Sequence, residues 1–159
     1  MNAETHSCTQ CGATYEGDNT CESRFNELLA LDHSRREPWG SRHGLAFAVY
    51  ALQHPSSFDK ATLDRSWLIL YRVFVAGNSA PMLLHALVKN PALAASIDVP
   101  PRPSISSTQH PRITIADLGN FEAIRYATRL QDWCVATLRW LGMTAPIVPR
   151  SQSEELSAS

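Results

Sequence analysis

Residues 20–55 read TCESRFNELLALDHSRREPWGSRHGLAFAVYALQHP, and the spacing within them decides the fold. Cys21, Phe25, Leu28 and Asp32 fall at offsets 0, 4, 7 and 11, one face of a helix expected over 20–33. Asp18 or Thr20 can cap its start, Glu22 and Glu27 suit its positive end, and Arg35 and Arg36 follow it. His43, Phe47, Tyr50 and His54 repeat the same offsets, which predicts a second helix over 41–54 that stops before Pro55. Pro38 and Gly40 break the chain between the two. Helices of similar length on a short connection pack antiparallel. The start of the first then meets the end of the second, setting Cys21 beside His54 and Asp32 beside His43.

Downstream, a third helix is expected from Phe58 or Asp59 to Ala76, apolar nearly all round and so suited to a bundle centre. A shorter fourth fits 80–87, with Pro81 in its first turn. The Pro- and Ser-rich stretch 91–112 reads as a loop, and Ile113 to Leu118 alternates weakly enough for a short extended segment. A last helix over 120–141 carries the stripe Ala123, Tyr126, Leu130, Trp133, Cys134 and Thr137, and Gly142 ends it. The tail 151–159 has no core-forming pattern and is expected to be disordered. The fold class is all-α: one domain over 1–150, a bundle of about five helices with a zinc-organised segment at 1–20.

With 159 residues, 44% hydrophobic and 18% charged, the chain is long enough to bury a core. Its net charge of -1 gives no global positive field for unspecific binding to nucleic acid or acidic membranes. The longest apolar run, 67–76, contains Arg72 and is about half of what spans a bilayer. MNAETHSCTQ has neither a basic nor an apolar stretch, so no signal peptide is expected. Four cysteines are too few for a disulfide scaffold. A soluble cytoplasmic protein is the expectation.

Three of those cysteines lie in the first 21 positions. Cys8 and Cys11, two residues apart, can chelate one tetrahedral ion, and Gly12 fits the tight turn that aims backbone amides at sulfur. Cys21 opens a helix, where the dipole favours a thiolate. His54 is the fourth ligand that the antiparallel pair selects. His43 is the reserve if the pair runs otherwise, and His6 a second one. His43 and His54 stand about 16 Å apart along the axis, so they cannot share an ion. The expected cofactor is Zn2+. Cys8 and Cys11 could instead form a redox pair, though no strand-then-helix frame surrounds them. Cys134 reads as a buried small hydrophobe.

Asp32, His43 and Tyr50 form a second candidate set. A carboxylate that accepts an imidazole N–H fixes the tautomer, as in general bases and metal ligands. The plainer reading is a buried Asp–His pair that keeps two helices in register. No GxSxG, Walker-type, GxGxxG or HEXXH sequence completes an enzyme. Arg35, Arg36 and Arg42 bracket Trp39, but so small a cluster reads as a solvated loop whose tryptophan folds back on the core, and nucleic acid is not an expected partner.

Cys8-Thr-Gln-Cys11-Gly-Ala, Cys21-x3-Phe25-x2-Leu-Leu and His43-Gly-Leu-x5-Tyr50-x-Leu-Gln53-His54-Pro55 together resemble a family of small, mostly bacterial proteins of unknown function. The resemblance runs from Cys8 through the third helix and returns weakly at 113–117 and in the last helix. It implies that Gln53-His54-Pro55 belongs with the cysteines. It also marks Asp32 as a departure, because a glutamate is more usual there.

The leading expectation is a zinc-stabilised helical protein with an accessory role, holding a small molecule or a protein partner; self-association fits such a bundle. The competing one is an enzyme of small-molecule tailoring or hydrolysis using Asp32, His43 and Tyr50, and a third is a redox sensor through Cys8 and Cys11.

Overall fold

The computed structural model describes residues 3–105 and 108–147. The expected disorder of 151–159 lies outside the described residues. Two short strands come first, β1 (Thr5–Ser7) and β2 (Thr14–Glu16), paired antiparallel with His6 opposite Tyr15. Five α-helices follow among the described residues: α1 (Cys21–His33), α2 (His43–Gln53), α3 (Lys60–Leu70), α4 (Ala80–Lys89) and α5 (Ala123–Trp140). The chain is thus mostly helical, with a small hairpin that the all-α expectation did not contain.

Thr20 caps α1 through a reciprocal bond with Ser23, which satisfies the first free amides. Its buried residues are Cys21, Phe25, Leu28 and Asp32, the stripe read from the spacing. Asp59 caps α3 in the same manner by accepting from the Thr62 amide. Beyond Leu70, α3 widens into a π-helical turn over Tyr71–Val75 before Gly77 ends it.

The bundle centre is α2 rather than α3. Eight of the eleven residues of α2 are buried, Leu45, Ala46 and Ala48 through Gln53. Its alanines let neighbouring helices approach closely, whereas α3 keeps Asp64 and Arg65 only half-buried at the edge. Gln53 is fully buried and donates to the Ile113 carbonyl and the Thr137 hydroxyl, both at 2.8 Å, tying α2 to α5.

The extended segment expected over 113–118 is reduced to the backbone of Thr114. Ile115–Leu118 form a 3-10 turn capped by Thr114 and Asp117, whose side chains satisfy each other's ends. The stretch 91–105 opens with a 3-10 segment, Pro91–Ser96, and is then anchored on the bundle. The Pro100 carbonyl accepts from Trp67 Nε1 at 2.8 Å, and Arg102 pairs with Asp64. Trp39 is buried and donates to the Phe121 carbonyl at 2.9 Å, with the Arg36 guanidinium 5.4 Å over its ring. No helix among the described residues is long and apolar enough to cross a membrane.

Candidate metal centre

The tip of the β1–β2 hairpin is the CxxC loop. Cys8 donates its amide to the Ala13 carbonyl at 2.8 Å, and the Gly12 amide returns to the Cys8 carbonyl at 2.9 Å. Gly12 sits at φ +78, and a Cβ there would stand 2.4 Å from the His110 ring. Both the backbone and the packing therefore require glycine. Gly12→Ala is expected to cost about 2 kcal/mol or more and to weaken metal binding with it, read by thermal melting and a competitive chelator titration.

The loop delivers Cys8 and Cys11, the first turn of α1 delivers Cys21, and the residue after α2 delivers His54. One donor atom from each lies within 4.8 Å of all the others. Cys11 Sγ and Cys21 Sγ are 3.5 Å apart, near the edge of about 3.8 Å expected for a tetrahedron of thiolates around zinc. Cys11, Cys21 and His54 are buried and Cys8 is partly so. The loop is docked by Gln10, which accepts from the Ser56 amide at 2.9 Å and reaches Ser57.

Protonation and hydrogen bonding fit a cation. His54 Nδ1 bonds the Tyr50 carbonyl at 2.8 Å, so the proton sits there and Nε2 keeps its lone pair. Nε2 is buried with no hydrogen-bond partner, a cost that coordination would remove. The Cys21 thiol is held below the usual thiol range, chiefly by the Cys11 thiol that donates to it. The Tyr15 hydroxyl favours the anion too. Cys11 is pushed up correspondingly, by that shared proton and then by burial. The Tyr15 hydroxyl donates to Cys21 Sγ at 3.1 Å, and the Ala13 amide serves Cys11. Tyr15 was not singled out from the sequence; its place opposite His6 in the hairpin is what aims it.

A cleft of about 620 Å³ opens over the cluster, with Cys8, Cys21 and His54 on its wall beside Phe25, Leu29 and Phe58. Tyr50 also lines it, stacked between Phe25 (3.9 Å, 2°) and His54 (4.1 Å, 25°). Burial pushes its hydroxyl up. Tyr50 thus stands with the metal ligands rather than with His43.

At the other end of the helix pair Asp32 and His43 do meet, Oδ2 to Nδ1 at 2.9 Å. The carboxylate is buried and its Oδ1 has no partner. His33 stacks loosely on His43, 5.6 Å between ring centres, and His6 instead bonds the Asn19 carbonyl. Cys134 is fully buried on α5, where desolvation raises its thiol.

No curated protein and no solved structure matches the chain. The sequence pattern of DUF5946, a family of unknown function, spans residues 6–141, from the hairpin that carries Cys8 and Cys11 to the end of α5, and the chain belongs to that family.

Proposed function

We propose that this chain is a small zinc-binding protein whose Cys3His site, Cys8, Cys11, Cys21 and His54, fastens the N-terminal hairpin to the α1–α2 pair. The observation that carries this reading is the convergence of four donors from three separate elements within 4.8 Å, with His54 Nε2 buried and unpartnered. Thiolate and imidazole donors in a four-ligand set suit zinc and leave no open position for substrate. The metal's role is therefore structural. The cleft above it, lined by Phe25, Leu29 and Phe58 together with Gln10, Glu22 and Asn26, supports a ligand- or partner-binding role.

Metal content per chain tests the site. Native protein is expected to carry about one zinc, with Cys21→Ser and His54→Ala each losing it. Iron in place of zinc, or retention of zinc by both variants, would overturn the assignment.

A further inference from the structure

His43 stands on the wall of a second cleft, of about 520 Å³, that none of the four metal donors lines. Its side chain is 40% exposed, while Asp32, its partner on Nδ1, is 1% exposed. The buried carboxylate takes the Nδ1–H and leaves Nε2 as an acceptor with no partner among the described residues. From α3 comes Arg65, half-buried and without a hydrogen-bond or ion-pair partner among the described residues. From α4 comes His85.

Charge on the cleft wall itself is basic, with the Asp32 carboxylate behind His43 opposing it. No carboxylate lines it. Asp64, next to Arg65 in sequence, is paired with Lys60 and Arg102. Glu37, which accepts from the Ser41 hydroxyl at 2.6 Å, is also bound to Arg42. Phe47, Ile69 and Leu84 supply an apolar wall. Gly44 lets α4 close against α2 here, since a Cβ would stand 2.6 Å from Leu84.

We propose that this cleft binds a small organic anion bearing a hydroxyl beside its anionic oxygen, the chemistry shared by hydroxycarboxylates and singly protonated phosphate monoesters. The Arg65 fork receives the anionic oxygens. His43 Nε2, oriented by Asp32, accepts a hydrogen bond from the hydroxyl, and the apolar body lies on Phe47 and Ile69. The Arg65 guanidinium has no protein acceptor among the described residues, and an anion in the cleft supplies a charged one. This inference is independent of the zinc reading.

The test uses the purified protein and calorimetric titration with mandelate, phenylacetate and phenyl phosphate. Mandelate and phenylacetate share a ring and a carboxylate, and only mandelate has the hydroxyl. Mandelate is expected to bind about tenfold more tightly than phenylacetate, and His43→Asn, which can still donate to Asp32 but offers nothing at the Nε2 position, removes that advantage. Arg65→Gln is expected to weaken every ligand about tenfold or more with unchanged melting, because Arg65 holds nothing else in place. Tighter binding of phenyl phosphate than of mandelate assigns phosphate monoesters, and the reverse assigns hydroxycarboxylates. The proposal fails if neither mandelate nor phenyl phosphate saturates below about 10 mM, if mandelate saturates but no more tightly than phenylacetate, or if Arg65→Gln binds as the native chain does.

Discussion

Stripping the metal with a chelator is expected to lower the melting temperature by about 10–20 °C. The four donors come from a hairpin tip, a helix start and a helix end, so an ion held by them links residues 5–16 to the bundle. Without an ion, three sulfurs and an imidazole crowd within 4.8 Å, and His54 Nε2 is left buried and unpaired. Structural zinc contributes about 10 kcal/mol or more in small modules that depend on it for folding. Here the helices have their own core, so about 5 kcal/mol is the expected loss, at roughly 2–4 °C per kcal/mol for a chain of this size. Adding zinc back should restore the original transition. Stripped protein that melts with the holo form would show that the hairpin is not held by metal.

Replacing Tyr50 by Ala is expected to cost about 3–5 kcal/mol, a drop of about 10 °C or more. The ring is sandwiched between Phe25 and His54 and edge-on to Phe58, so truncation opens a cavity and frees the His54 imidazole. Metal affinity should fall in the same variant. Tyr50→Phe keeps the stack and is expected to stay within about 1 kcal/mol of the native chain. Calorimetric melting of the two variants decides the matter: equal losses in both would assign the role to the hydroxyl rather than to the ring.

The helix pair could be read from the sequence because two identical offset patterns flanked one short breaker. That single inference set Cys21 beside His54 and Asp32 beside His43, and the structure places both pairs so. Tyr50 was harder to place, since it shares a face with both histidines. Axial distance separates them: Tyr50 is about 6 Å from His54 along the helix but about 10 Å from His43. The hairpin left no periodic signal, for strands of three residues are too short to alternate, although Gly12 and Gly17 mark its turns. Thr114-x2-Asp117 carried a capping signature that pointed to the 3-10 turn over Ile115–Leu118, and the weak alternation of 113–118 masked it. The cleft around His43 was invisible from sequence, because Arg65 and His85 reach it through the packing of α3 and α4 on α2.

The distribution of aromatic residues gives the molecule two separate optical signals. Trp39, Trp67 and Trp133 are buried in the bundle, and no tryptophan lines the cleft over the cysteines. Tyr15 and Tyr50 do line it. Tryptophan emission therefore follows the collapse of the helices, while the part of the tyrosine ultraviolet difference absorbance that is lost in Tyr15→Phe follows the environment of the thiolates, Tyr71 and Tyr126 lying outside the cleft. A stopped-flow experiment with chelator can time both in one sample and tell whether the ion leaves before the bundle opens or only after it.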